Sequence, residues 1–230
     1  ENGDYDNVFS FTTPISSDLN NDLGELKALI LARGDRKATY KDIVGLTSDE
    51  YNRSTADSIA TGMSVMLQAQ AQLDQLVHGM ITAINDTLCP NTTLGELTGN
   101  TASLTGTDEN GNTVTITSGM KVLDTKNCST GSDKQIPPQE LFTRLGTERY
   151  TKVSVQETDA NGNTVTNDYY VYNEESETDT SKQYTLASVS VNDKLVEQES
   201  LLPHLSQNGK VNYDLAQKVA ALWKDRKSVV

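Results

Sequence analysis

The chain has 230 residues, with 19 Lys and Arg against 32 Asp and Glu, so its formal net charge is −13 at pH 7. A polyanion or an anionic lipid surface would repel such a protein, so we expect neither a nucleic-acid nor a membrane partner. The sequence contains no run of about 18 apolar residues that could span a bilayer. Its 2 histidines and 2 cysteines match no metal-ligand spacing, and we expect no metal and no cofactor.

The N-terminal part of the chain predicts a strand followed by a helix. Residues 5–13 are rich in aromatic and β-branched side chains, which is typical of a short strand. Asp22 fits an N-cap, because Glu25 follows three residues later as in a capping box. Gly34 fits the C-terminal cap, so we predict a helix over residues 22–33.

Residues 58–88 predict one long helix, which Pro90 ends. Its apolar side chains recur at alternating spacings of 4 and 3 residues, the pattern of a helix that packs along another long helix. At about 1.5 Å per residue, the helix would be a rod of roughly 50 Å. Its partner would be the shorter helix 22–33, chain beyond the two ends, or another subunit. The predicted helix-packing seam comprises Ile59, Met63, Met66, Leu73, Val77, Met80 and Ile84, with Gln70 as its one polar member.

Between about residues 92 and 196 the pattern changes to strands and turns. The hexapeptide NGNTVT occurs at residues 110–115 and again at residues 161–166. Asn-Gly favours a type I′ hairpin turn, because both central residues of that turn need positive φ. We therefore predict two hairpins and a further strand near residues 187–191. Between the hairpins, the two prolines that open residues 137–146 predict a short helix.

After Gly209 the sequence predicts a last helix, with Asn212 as its cap and an apolar face of Leu215, Val219, Leu222 and Trp223. The predicted fold class is α+β: a stem of long helices, similar to a helical bundle or coiled coil, carries a β-rich domain of hairpins. The predicted division is a short strand and lead-in over residues 1–17, the helical stem over 18–91, the β-rich domain over 92–198 and a returning helical segment over 199–230.

Features outside the seam favour structural interpretations. The Asp-x-Asn-Gly-Asn sequences at residues 108–112 and 159–163 resemble calcium loops, but their glycine is misplaced for an EF-hand and belongs to a turn. The acidic residues 173–181 fit a solvated loop. His78 fits a surface or partner-facing position.

Neither the two cysteines nor any sequence motif indicates an enzyme. Cys89 and Cys128 are either two free thiols or one disulfide, and the sequence leaves both open. The sequence contains no phosphate loop, nucleophile elbow or paired-carboxylate motif. We therefore expect no enzyme activity and assign no catalytic residue.

The order in which several segments occur along the chain is informative. DLGELKALILARGD at residues 22–35 precedes the long helix, which has LDQL at 73–76 and Ile-Asn at 84–85. QELFTRL at 139–145 comes next, and YTLASVSVNDKLVEQES at 184–200 leads to the last helix. In this order the segments resemble the flagellar hook-associated protein 1 family. Since the terminal helical regions of that family are absent here, we interpret the chain as a central fragment.

The resemblance implies a structural protein of the bacterial flagellum. Such proteins are exported through the flagellar type III apparatus and assemble outside the cell as a short ring that joins hook to filament. Their long helices align along the axis, and their β domain points outward. The implied partners are the hook protein, the second junction protein, further copies of the chain and an export chaperone that binds the missing C-terminal end. The helix-packing seam would then contact axial helices of neighbouring subunits.

A protein of a different class is the alternative: a secreted adhesin or carbohydrate-binding β module on a helical stalk. The tyrosine-rich residues 169–172 would serve it, because aromatic faces stack on sugars. The two interpretations differ in the expected place of Tyr169 and Tyr170. A sugar binder would expose one of them on a concave face, whereas a junction subunit would bury alternate residues of the run in a hairpin core.

Overall fold

The computed structural model describes residues 38–43 and 65–222 of the chain. The strand predicted over residues 5–13 and the helix predicted over residues 22–33 lie outside these residues, as do the first positions of the long helix and Trp223 of the last one. The chain divides into two compact units, Glu1–Leu76 and Val77–Val230.

The described chain contains four α-helices and eight strands. The helices are α1 (Val65–Leu88), α2 (Leu94–Thr98), α3 (Asp193–Glu197) and α4 (Tyr213–Leu222). The strands are β1 (Asn91–Thr93), β2 (Leu104–Asp108), β3 (Thr113–Ile116), β4 (Lys121–Leu123), β5 (Phe142–Arg144), β6 (Tyr150–Thr158), β7 (Thr164–Tyr172) and β8 (Val189–Val191). Short 3-10 helices occur at Tyr40–Asp42, Thr180–Lys182 and Glu199–Leu201.

Six strands form one antiparallel sheet in the order β1-β4-β7-β6-β2-β3, and β5 pairs with β8 in a second antiparallel sheet. This mixture of helices and antiparallel sheet confirms the predicted α+β class. Among the residues that the structure describes, α1 is the only helix of more than 10 residues. The stem of several long helices therefore stays a prediction.

In the first unit, one side of α1 packs against the segment that contains the first 3-10 helix. Leu67 and Ala71 of α1 are buried together with Ala38 and Ile43. Asp74 is also buried, and its carboxylate accepts a 2.9 Å hydrogen bond from a backbone N–H of the same segment. Apolar contact and a satisfied buried carboxylate thus hold this segment on the helix.

The Asn-Gly pairs at residues 110–111 and 161–162 close hairpins, which confirms that prediction. The first turn joins β2 to β3, and the second joins β6 to β7. The turn type differs from the predicted type I′, because only the glycines, Gly111 and Gly162, have positive φ, at 84° and 83°. In the first hairpin, Asp108 N–H bonds the Asn112 carbonyl at 2.9 Å. The loop is therefore one residue longer than a type I′ turn allows and needs positive φ only at its last position.

Apolar cores cover both faces of the six-stranded sheet, because successive strand residues point to opposite sides. One core packs α2 against the sheet and includes Leu94, Ile116, Val122, Val153, Val155 and Val171. The other packs the end of α1 and α4 and includes Ile84, Leu88, Tyr150 and Leu215, with Tyr170 and Tyr172 half-buried against it.

The short helix predicted over residues 137–146 is absent, and this prediction was wrong. Phe142–Arg144 form β5 instead, and the Ile136–Pro137 peptide is cis. The backbone of β5 bonds β8 on one side and the side chain of Asn85 on the other. These long-range contacts override the local helix signal of the two prolines.

Two other helix ends follow local sequence signals. Asn212 accepts a 3.0 Å hydrogen bond from Leu215 N–H at the start of α4, which confirms the predicted cap. The sequence interpretation missed α2, although Thr93 and Glu96 form the capping box that starts it. That signal was available in the sequence as Thr-Leu-Gly-Glu.

Candidate functional site

The first candidate site is the helix-packing seam. Ile59 and Met63 lie outside the described residues. In the first unit, Met66 and Leu73 are 49% and 53% exposed. The other exposed residues between them, Ala69, Gln70 and Gln72, carry no charge. This half of α1 therefore presents an uncharged and partly apolar surface to solvent, in a chain whose net charge is −13.

In the second unit, the seam residues are more buried. Val77 and Met80 are half-buried, and Ile84 is fully buried in the core against the sheet. Ile84 is thus committed to packing within the chain. Whether the exposed residues of the seam contact another helix stays a prediction.

The second candidate site is a buried polar cluster at the end of α1, and Asn85 is its first member. The Asn85 side-chain oxygen accepts hydrogen bonds from the N–H groups of Leu141 and Phe142, each at 3.1 Å. Its amide nitrogen donates to the Phe142 carbonyl at 2.7 Å and to the Glu140 carboxylate at 3.1 Å. Asn85 therefore binds the backbone of β5 much as a neighbouring strand would.

Asn192 holds the other side of the same segment. Its side-chain nitrogen donates to the Glu140 carbonyl at 2.8 Å, and its backbone N–H donates to the Leu141 carbonyl at 2.9 Å. Its side-chain oxygen caps α3 by accepting from Lys194 N–H at 3.1 Å. Asn85, the segment around Glu140 and Asn192, which are far apart in sequence, therefore meet in one hydrogen-bonded unit.

Glu140 and Arg149 form the ionic centre of the cluster. Both side chains are more than nine-tenths buried, and they lie 3.5 Å apart. The Glu140 carboxylate also accepts from the Tyr184 hydroxyl at 2.5 Å. Burial raises the pKa of Glu140, and the hydrogen bond from Tyr184 and the charge of Arg149 oppose this shift. Arg149 also forms an ion pair with Asp86 at the end of α1. This second ion pair joins the helix to the sheet.

Aromatic rings separate the two buried arginines. The guanidinium of Arg149 lies 5.0 Å from the ring centroid of Tyr172, and that of Arg144 lies 4.8 Å from the ring centroid of Tyr184. Arg144 also donates to the Asn173 carbonyl at 2.8 Å. Cation–π contacts of this kind stabilise desolvated guanidinium groups. Arg149 is thus paired with a carboxylate, whereas Arg144 is held by backbone carbonyls and aromatic rings and leaves its Nε without a hydrogen bond within the described residues.

The thiols beside the cluster are poor nucleophiles. Cys89 and Cys128 are free and buried. Burial raises the pKa of Cys89 to about 12, against the opposing charge of Arg149. Burial also raises the pKa of Cys128. Because the thiolate is the reactive form, neither cysteine is poised for nucleophilic chemistry at neutral pH.

His78 has a partner that the sequence did not indicate. Its Nε2 lies 2.8 Å from Glu175, whose other oxygen accepts a hydrogen bond from Tyr184 N–H at 2.8 Å. Within the described residues, no group of three or more His, Cys, Asp or Glu side chains could hold a metal ion.

The tyrosine run of β7 serves packing. Tyr169 is half-buried against the core beside α2, and its hydroxyl donates to Glu157 at 2.9 Å. Tyr170 and Tyr172 are half-buried against the core on the opposite face. None of these three rings is largely exposed.

The members of the polar cluster had no motif by which the sequence could reveal them. Asn85, Glu140 and Tyr184 lie within segments that carry the family resemblance, but Arg149 has no distinguishing local pattern. No helix in the described part of the chain is long and apolar enough to cross a membrane. No protein-family model, curated protein or solved structure matches the chain.

Proposed function

We propose that the chain is a structural part of the bacterial flagellum, of the hook-associated protein 1 type, which joins hook to filament and catalyses no reaction. The observation that carries the proposal is the meeting of Asn85, Glu140 and Asn192 in one hydrogen-bonded unit. Each of these residues lies in a different segment of the family resemblance. These segments resemble the family only by their order in the sequence, yet they lie next to one another in the fold. Their proximity supports the resemblance to the family.

In this proposal the polar cluster fixes the sheet on the end of α1. A junction subunit must transmit load between hook and filament without changing shape. Buried ion pairs and side-chain amides that bind the backbone suit that task. Each of these side chains makes several hydrogen bonds at once, so it is held in a single position. The cluster is expected to work as a rigid connection rather than as a reaction centre.

The exposed seam residues Met66 and Leu73 would contact helices of neighbouring subunits. Because Met66 and Leu73 are already about half buried, covering the rest of either side chain should stabilise an interface by about 1 kcal/mol. The uncharged surface around them lets two chains of equal negative charge approach along this face. The hook protein, the second junction protein and further copies of the chain are the proposed partners, and the proposed site of action is outside the cell after type III export with its chaperone.

The test is deletion of the gene that encodes this chain in its own bacterium. We expect cells with hooks but no attached filaments, with filament protein released into the medium and motility lost. The restored gene should reverse all three effects. Attached filaments and normal motility in the deletion strain would contradict the proposal.

A second comparison tests the seam within the restored gene. Leu73→Asp should abolish filament attachment while the protein is still exported into the medium. Thr166→Asp adds the same charge at an exposed position of β7 and should leave attachment unchanged. Equal attachment for both variants would show that the seam is not an assembly surface, even if the deletion behaves as expected.

A further inference from the structure

The two Asn-Gly hairpin turns are organised by an aspartate at the same position. Asp108 accepts hydrogen bonds from Asn110 N–H at 2.9 Å and from Asn112 N–H at 2.8 Å. It also accepts from the side-chain nitrogen of Asn112 at 3.0 Å. Each turn is thereby tied by one carboxylate to groups two and four residues further on.

The second turn repeats these contacts. Asp159 accepts from Asn161 N–H and Asn163 N–H, each at 2.8 Å, and from the Asn163 side chain at 3.2 Å. In both turns the glycine N–H donates to the carbonyl of the aspartate at 3.0 Å. Gly111 and Gly162 therefore have their N–H groups engaged.

Asn-Gly is the dipeptide most open to spontaneous deamidation, because glycine does not hinder attack by its own nitrogen. In that reaction the glycine nitrogen loses its proton and forms a bond to the side-chain carbonyl carbon of the asparagine, and ammonia leaves. The resulting succinimide takes up one water and opens to aspartate or isoaspartate. The net change is the exchange of ammonia for water, with no change of oxidation state.

We propose that Asp108 and Asp159 protect the Asn110–Gly111 and Asn161–Gly162 bonds from deamidation. Attack requires the glycine nitrogen to leave its hydrogen bond and swing towards the asparagine side chain. The aspartate holds the backbone on both sides of that nitrogen, at Asn110 and Asn112 in the first turn. Both asparagines are exposed, so water and base reach them freely, and the closed turn is the protection that remains.

A third Asn-Gly turn, at Asn208 and Gly209, is closed in another way. Ser206 stands at the position of the aspartate, and Gly209 N–H donates to its carbonyl at 2.8 Å. Here the Asn208 side-chain oxygen is itself held, by Ser206 Oγ at 2.7 Å and Lys210 N–H at 3.0 Å. This turn serves as an internal reference that no aspartate substitution touches.

The experiment measures deamidation at all three sites in the folded protein by peptide mapping and mass spectrometry. Asp108→Ala should raise the rate at Asn110 at least about fivefold, because it removes three hydrogen bonds and the loss of one ordinary hydrogen bond alone shifts an opening equilibrium by that factor. The rates at Asn161 and Asn208 should stay unchanged. Asp159→Ala should accelerate Asn161 alone.

Glu109→Ala is the matched control. It removes a carboxylate from the same turn, where no hydrogen bond to Asn110 or Gly111 depends on it, and should leave the Asn110 rate unchanged. The proposal is overturned if Asp108→Ala leaves Asn110 unaffected, if it accelerates Asn161 equally, or if Glu109→Ala accelerates Asn110 as strongly. Retained β6–β7 cross-strand contacts in the NMR spectrum of Asp108→Ala verify that the sheet is intact.

Discussion

The hairpin turns and the buried polar cluster are both built from polar side chains, but over very different distances along the chain. In the turns, Asp108 and Asp159 bond groups two and four residues away at the surface of the protein. In the cluster, the buried Asn85 bonds groups 55 and 57 residues away, and the buried Arg149 reaches Asp86, 63 residues away. Local contacts fix the shape of a loop, whereas the distant ones fix how a helix and two sheets meet.

The largest expected effect comes from removing the buried cation. Arg149→Ala leaves Glu140 buried without its ionic partner, and should lower the free energy of unfolding by about 3–5 kcal/mol. Denaturant titration measures this change. Lys152→Ala, which breaks the exposed pair with Asp168, is the control and should cost at most about 1 kcal/mol. Similar losses for the two variants would show that the buried ion pair contributes no more to stability than the exposed one.

A smaller loss is expected at Asn85. Asn85→Ala leaves the N–H and carbonyl groups of Phe142 without their partner, and should cost about 2–3 kcal/mol. Hydrogen exchange of the Phe142 amide should accelerate together with the fall in stability. Asn167→Ala removes an exposed amide that donates to Glu157 and should cost about 0.5 kcal/mol or less. Unchanged protection of Phe142 would show that Asn85 does not hold β5.

The stability of the buried polar cluster and the stability of the hairpin turns should change with pH in opposite directions. Burial raises the pKa of Glu140 above its unfolded value. Its contribution to stability is therefore fully present below the ordinary glutamate pKa and is lost as pH rises through the folded-state pKa. The unfolding free energy of the wild type should fall relative to Glu140→Gln across that window. Glu157→Gln makes the same substitution outside the cluster and serves as the control. A difference in unfolding free energy between wild type and Glu140→Gln that does not vary with pH would contradict the raised pKa of Glu140.

The smallest effect is expected at the turns, where the sign is opposite. Hydrogen bonds from Asn112 lower the pKa of Asp108. The associated stability is present above the ordinary aspartate pKa and is lost as pH falls through the lowered value. Asn112→Ala should raise the pKa of Asp108 towards its ordinary range and leave that of Asp159 in place. NMR titration of both carboxyl groups measures this, and an equal shift at the two aspartates would be inconsistent with local control.

The distances over which contacts act also explain what the sequence could predict. The hairpins, the helix that ends before Pro90 and the Asn212 cap follow from patterns within a few residues. The β5 strand does not, because Asn85 and Asn192 hold it from positions 57 residues before and about 50 residues after Phe142. Local proline signals therefore gave the wrong element there.

The candidate site shows the same division. The seam positions were readable as a spacing, yet the spacing alone could not distinguish exposed Leu73 from buried Ile84, because burial depends on what packs against each turn of the helix. Arg149 and Glu140 were not predicted, since nothing near either residue indicates an ion pair with the other. The turn type was mistaken because the Asn-Gly pair alone does not determine the loop length, and Asp108, outside the pair, bonds across the longer loop.

The hydrogen bonds between Asn85 and the Phe142 backbone also bear on the tendency of the protein to aggregate at high concentration. In a sheet of two strands each strand has a free edge, and unpaired backbone groups at such an edge invite strands of other molecules to add on. Asn85 occupies both backbone groups of Phe142 at 2.7 and 3.1 Å. Asn85 thus covers the backbone of β5 at Phe142, and we expect Asn85→Ala to form fibrous aggregates more readily, as measured by thioflavin fluorescence, as well as being less stable.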